Sequence, residues 1–380
     1  MTLRNKKITI GILLILQFMA SVTMSMVFSL APSITSFYDL PSSNATFLNL
    51  GFVAAGLLSP IFGYLADKRG TKSILIGGTF IFVLGHLLAA FSSTVLMYFS
   101  ARFLVGLGYF AILGLIVSYL SKFLDHKHMG NTSAFLKLSF ALGVFVSPIL
   151  ASSIVEATSF QFLYLCLFGL SVVLWLALFM IPQVSSSHQD HLTLIDLKLL
   201  LKDKTVRKFL GVSLATGLPG VVFFNFLSVF LSEKGYPQIE ISSIYSMIGL
   251  GSIASAFVIF FLNKRFGMTK LFQGGLYVAL VGLIPMVSLN PLIIIPVSVV
   301  FSLGYDTIVG LINPMLAVRY SRQSGTVIML MSLTGAVYGL LVNGFGPLFY
   351  QSFGFLGMIL LCLFGTFIGT LFLHSTLNEV

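Results

Sequence analysis

The feature that most constrains this chain is the recurrence, along its whole length, of stretches of about twenty mostly apolar residues separated by short polar turns. Crossing about 30 Å of hydrocarbon takes one such stretch as an α-helix, which keeps every backbone N–H and C=O bonded within its own segment. The pattern predicts spans at residues 8–31, 44–66, 73–92, 94–119, 133–155 and 160–181, then at 208–231, 240–262, 269–289, 291–316, 326–350 and 353–374. Of the 380 residues, 57% are hydrophobic and only 8% are Asp, Glu, Lys or Arg. A water-soluble core cannot hide that much apolar surface, so lipid is the expected solvent. The first apolar run follows the basic Arg4, Lys6 and Lys7, as a cleaved leader's core does. It is longer than such a core and leads into another apolar segment, and it is read as a span.

A net charge of +10 would suggest nucleic acid in a soluble protein. Here the location of the charges decides. With the amino terminus inside, eighteen of the twenty-one Lys and Arg residues fall on the inner side; the others are Lys137 near an inner helix end, Arg102 within a span and Lys234 outside. This is the positive-inside pattern, and it predicts an even number of spans with both termini cytoplasmic. No nucleic-acid partner and no cofactor are expected. Cys166 and Cys362 both fall within spans, with no spacing that suits a disulfide or a metal. The clusters Asp125-His126-Lys127-His128 and His188-Gln189-Asp190-His191 lack the ordered spacing of zinc ligands and read as solvated loops.

The longest polar interruption, Pro182 to Lys208, divides the spans six from six. The expected organisation is therefore an amino-terminal bundle over 1–181, a cytoplasmic linker over 182–207 lying partly along the anionic leaflet, and a second bundle over 208–380. Asp67-Lys68-Arg69-Gly70 has a degraded copy 197 residues on, Lys264-Arg265-Phe266-Gly267, and Pro148 and Pro347 are 199 apart. Two six-helix halves repeated in parallel imply a transport site near the bilayer midplane, on the axis between them.

Polar residues within spans are the candidates for that site. Asp306 is the carboxylate deepest in any predicted span, near the middle of the tenth. Its ionised form is costly at that depth, which brings proton uptake and release within ordinary pH and suits a proton-coupling residue. The bland alternative is a structural aspartate bonded to a neighbouring helix. Arg102, inside the fourth span, should face a cavity or a partner, the alternative being a side chain that snorkels to the outer surface. Under the repeat offset Asp306 aligns with Tyr109, seven residues deeper than Arg102. Asn225 in the seventh span and Asn313 in the tenth are further cavity candidates, although bridging two helices is the commoner use of such residues.

Three motifs carry a family resemblance. Gly63-Tyr64-Leu65-Ala66-Asp67-Lys68-Arg69-Gly70-Thr71-Lys72 resembles the loop motif between the second and third spans of the major facilitator superfamily, with Thr71 where a basic residue usually stands. Ala101-Arg102-Phe103-Leu104-Val105-Gly106-Leu107-Gly108 resembles the family's fourth-span motif. Gly143-Val144-Phe145-Val146-Ser147-Pro148-Ile149-Leu150-Ala151-Ser152 is similar to its antiporter motif in the fifth span, with Ser147, Ala151 and Ser152 replacing glycines. The resemblance implies an all-α membrane protein of twelve helices in two pseudo-symmetric six-helix bundles. It also implies that Gly63, Asp67, Lys68, Gly70 and Lys72 form a gating latch, with Asp67 facing the start of the eleventh span near Gly325 and Thr326.

Some drug-proton antiporters of this kind have an acidic residue in the tenth span, which extends the coupling role to Asp306. The function implied is proton-coupled, multidrug-type efflux of a small amphipathic or cationic molecule by a monomer in a bacterial plasma membrane, its partners being that molecule, protons and lipids. Rivals are an exporter of a specific metabolite such as an anionic metallophore, with Arg102 binding it, a lipid flippase, an uptake symporter, or a receptor that transports nothing. The chain lacks phosphate-binding and hydrolase motifs, so no enzyme activity is expected.

Overall fold

The computed structural model describes residues 3–124, 126–183, 202–319 and 324–377, which are helical almost throughout, with no strand among them. We number the membrane helices in chain order. In the first half, α1 is Leu3–Phe37, and α2 is built from the 3-10 turn Ser42–Asn49, the helix Leu50–Ala55, the 3-10 turn Gly56–Leu58 and the helix Ser59–Arg69. Then follow α3 (Thr71–Ala90), α4 (Val95–Phe123), α5 (His126–Ala157) and α6 (Phe160–Ala177). In the second half, α7 is Lys204–Glu233, α8 and α9 are residues 238–266 and 268–283, α10 is Pro291–Arg319, and α11 and α12 are residues 324–353 and 355–377.

Among the described residues, eleven stretches are long and apolar enough to cross a membrane. The last, Met331–Leu371, has 41 residues. At 1.5 Å per residue that is roughly 60 Å, twice the hydrocarbon thickness, so it makes two crossings. Gly354 breaks it with φ 62 and ψ −166. Twelve membrane helices result among the described residues, as the hydropathy predicts. Helix ends run past the predicted spans: α1 starts at Leu3 and α5 at His126. Hydropathy registers depth in the membrane, whereas the i to i−4 ladder continues into polar sequence as long as its own bonds close. Large side chains such as Leu96, Leu292 and Phe345 stand exposed on the helices, as a lipid-facing surface requires.

The predicted repeat is visible in the backbone. Gly70 between α2 and α3 has φ 91, and Gly267 between α8 and α9, 197 residues later, has φ 78. Both occupy a region that only glycine enters without strain. Interhelix contacts repeat as well. A Cβ on Gly78 would lie 2.6 Å from Ala111, and one on Gly275 would lie 3.2 Å from Ile308; Gly85 similarly meets Val105, and Gly282 meets Phe301. The pairs α3/α4 and α9/α10 therefore close by one scheme.

The chain divides into two compact units, Met1–Val27 with Leu48–His191, and Phe28–Phe47 with Leu192–Val380. The division on the amino-terminal side falls within α1 rather than between helices. Hydrophobic residues of the second unit cluster around α7, where Phe230 stacks on Phe355 at 4.3 Å and Phe226 on Tyr350 at 5.2 Å.

Candidate functional site

In the first unit, small residues bring α2 against α4. A Cβ on Gly51 would lie 2.4 Å from the Phe99 carbonyl oxygen, and one on Gly106 would lie 2.4 Å from that of Phe52. Arg102, one turn before Gly106, is consequently 0% exposed. Its guanidinium does not snorkel. Nη2 donates to Asn49 Oδ1 at 2.6 Å, and the Phe52 ring centre lies 4.6 Å from Cζ. Nε and Nη1 have no hydrogen-bond partner among the described residues. Tyr109, also buried, packs on the same Phe52 ring at 5.0 Å and donates its hydroxyl to Met24 Sδ at 3.1 Å. Phe52 thus joins two residues that the sequence singled out separately.

In the second unit, the corresponding pair α8 and α10 closes through Gly251, whose Cβ would lie 2.5 Å from the Val299 carbonyl oxygen. The Asp306 side chain lies at this seam and is half-buried. Ser302, one turn earlier on α10, donates to Asp306 Oδ2 at 2.9 Å, and Ser252 of α8 donates to the same oxygen. Beside the carboxylate, Tyr305 packs between Phe224 and Phe301, each with its ring centre 5.7 Å away, and its hydroxyl donates to the Gly217 carbonyl at 3.4 Å. A basic centre between α2 and α4 in one half therefore has its counterpart in an acidic centre between α8 and α10 in the other.

Asn225 is buried, and its Nδ2 donates to the Val221 carbonyl one turn back at 2.8 Å. The side chains of Asn313 and Asp67 lie outside the described residues, and so does the expected approach of Asp67 to Gly325 and Thr326. Gly63 is buried near the end of α2, and Lys68 is exposed. Lys72, at the start of α3, is placed by the turn at Gly70, and its Nζ donates to the carbonyls of Phe179 at 3.0 Å and Ile181 at 2.6 Å. These oxygens lie just past the end of α6, where carbonyls lack intrahelical donors and a cation is favoured. The Tyr119 hydroxyl donates to the carbonyl of Pro182, the residue after Ile181, at 2.7 Å. Lys72→Met is expected to destabilise this end of α6 by about 1–2 kcal/mol, seen as a lower melting temperature in detergent. An unchanged melting temperature would show that water replaces the ammonium without loss.

The fifth-span motif packs against α1 within the first unit. A Cβ on Gly143 would lie 1.8 Å from Ser21 Oγ and 2.9 Å from the Phe18 carbonyl oxygen, and Ser147 Oγ is 2.5 Å from Ser25 Oγ. Pro148 follows, buried, inside α5. Sequence reasoning missed Asn49, Phe52, Ser252 and Ser302. Asn49 and Phe52 share a face through their spacing of three, but only the pairing of α2 with α4 reveals their target.

Residues 13–343 match the model of the Major Facilitator Superfamily. Among similar proteins, the sialic acid transporter NanX of Escherichia coli is 23% identical over 251 residues, covering 62% of this chain and 60% of that protein. The chloramphenicol resistance protein CraA of Acinetobacter baumannii is 23% identical over 250 residues, 64% of this chain and 59% of that protein. The efflux transporter phmH of Phaeosphaeria nodorum is 31% identical over 106 residues, 28% of this chain and 19% of that protein. The chain thus spans about three fifths, or less, of the length of these relatives. A family match over most of its length, on a fold of twelve membrane helices, means that the chain belongs to the Major Facilitator Superfamily. It is a multi-pass membrane protein of that family.

Proposed function

We propose that this transporter is a proton-coupled exporter of a small amphipathic or cationic molecule, working by alternating access in a bacterial plasma membrane. In this reading both termini are cytoplasmic, residues 182–207 link the two bundles, and a monomer suffices. The observation that carries it is the Asp306 carboxylate inside α10, which accepts bonds from Ser252 on α8 and Ser302 on its own helix. A carboxylate can only accept, whereas the protonated acid has a donor of its own. Taking up a proton therefore rearranges the bonds that join α8 to α10, and a proton becomes linked to the packing of two helices. Phe224 and Tyr305 beside it, backed by the buried Phe301, are partly exposed and supply aromatic surface on which an amphipathic or cationic molecule can rest. The name of phmH, an efflux transporter, favours export.

The test uses everted membrane vesicles with an inwardly acid gradient and a fluorescent cation. Accumulation that collapses when an ionophore dissipates the gradient is the expected result, and gradient-independent or absent accumulation rejects the proposal.

One observation favours a second reading. Arg102 is buried with Nε and Nη1 unbonded among the described residues, so a buried positive charge keeps donors for an anion, and NanX is named for an anionic sugar acid. In that case the substrate is a small carboxylate. A melting temperature raised by sialic acid and not by the cationic dye would select it.

A further inference from the structure

The boundary between the compact units cuts α1 between Val27 and Phe28. Pro32 lies inside this helix and has no N–H to give the carbonyl of Phe28, four residues earlier. The helix is therefore weakest where the two units divide it. Beyond that point the segment Phe28–Phe37 packs within the second unit, and its polar ties there converge on one side chain. Gln238, the first residue of α8, accepts from Ser33 Oγ at 2.8 Å through Oε1. Its Nε2 donates to the Ser29 carbonyl at 2.9 Å and to Ser242 Oγ at 3.1 Å. Ser29 and Ser33 are one turn apart on the same face of α1, so a single amide holds two consecutive turns.

All the groups in this contact are neutral, and beside it lies an open pocket of about 320 Å³ lined by Pro32, Ser33, Ser36, Ser232, Tyr236, Gln238 and Ile241. That is room for water to take over each bond as it opens. A charged pair at this place would resist separation. A neutral amide next to water space holds the segment while leaving it releasable.

We infer that Gln238 is a releasable lock that fastens the outer part of α1 to α8, and that the transport cycle opens and recloses it. This rests on the alternating-access reading and on an inner amino terminus. Ile34, which is 1% exposed, serves as reporter once replaced by cysteine in a background lacking Cys166 and Cys362. In intact cells a membrane-impermeant maleimide labels Ile34→Cys only when the segment lifts. Gln238→Leu keeps the side chain's bulk and removes its bonds, and it should raise the labelling rate about tenfold. Ser33→Ala, which removes one bond, should raise it by a smaller factor, and it serves if the leucine variant fails to fold. Labelling rates equal to the parent's in these variants overturn the lock. If labelling requires permeabilised cells, the orientation is reversed, and the same ratio of rates still judges the lock.

Discussion

Asp306→Asn is expected to lower gradient-driven transport roughly a hundredfold, the scale on which a positioned proton-transfer group acts, while the protein still folds and still binds its substrate. Asparagine has nearly the shape of the carboxyl group, and its Oδ1 can accept from Ser252 or Ser302 as Asp306 does. What it cannot do is take up and release a proton. Downhill exchange of substrate should therefore survive while uphill movement is lost. The two are separated in proteoliposomes by measuring counterflow without a gradient and accumulation with one. Equal losses in both would mark Asp306 as a structural bridge between α8 and α10.

The second large effect is expected at Arg102. A fully buried guanidinium with one hydrogen bond, one aromatic face and two unbonded nitrogens is a burden on stability, because each unsatisfied buried donor costs about 1–3 kcal/mol. Arg102→Met replaces it with an apolar chain of similar length, at the cost of leaving Asn49 Oδ1 without this donor. Replacing an under-satisfied buried charge with an apolar residue is often neutral or stabilising. The melting temperature should therefore hold or rise by a few degrees, while in the carboxylate reading, where Arg102 holds the substrate, transport falls at least about tenfold, a loss of about 1.4 kcal/mol. Arg102→Lys should fail as well, since an ammonium lacks the planar fork. A strongly destabilised Arg102→Met protein that retained transport would make Arg102 a packing residue instead.

The sequence was informative wherever a property belongs to a residue's own type or spacing. Twelve spans were legible because hydrocarbon selects on composition, and the repeat because glycine is needed at both Gly70 and Gly267. Asp306 and Arg102 stood out because a charge inside a span is rare. Their partners did not. Serines such as Ser252 and Ser302 are common in membrane helices, and only the approach of α8 to α10 aims both hydroxyls at one oxygen. The target of Lys72 is backbone carbonyl, which every residue carries, so nothing in the sequence marks Phe179 or Ile181. Asn225, expected to line a cavity, has its amide nitrogen bonded to a carbonyl of its own helix, a use that spacing alone does not mark. Gln238 sits at a helix start, where an amide looks ordinary until the turns of α1 are beside it.

The central claim is that this member of the superfamily exchanges protons for its substrate through Asp306. The most direct measurement is the proton flux itself, followed with a pH-sensitive dye trapped in proteoliposomes while a saturating pulse of substrate is added on one side. The account predicts a substrate-dependent proton movement, opposite in direction to the substrate, that disappears in Asp306→Asn. Substrate transport with no proton movement, or with proton movement unchanged by Asp306→Asn, would contradict it.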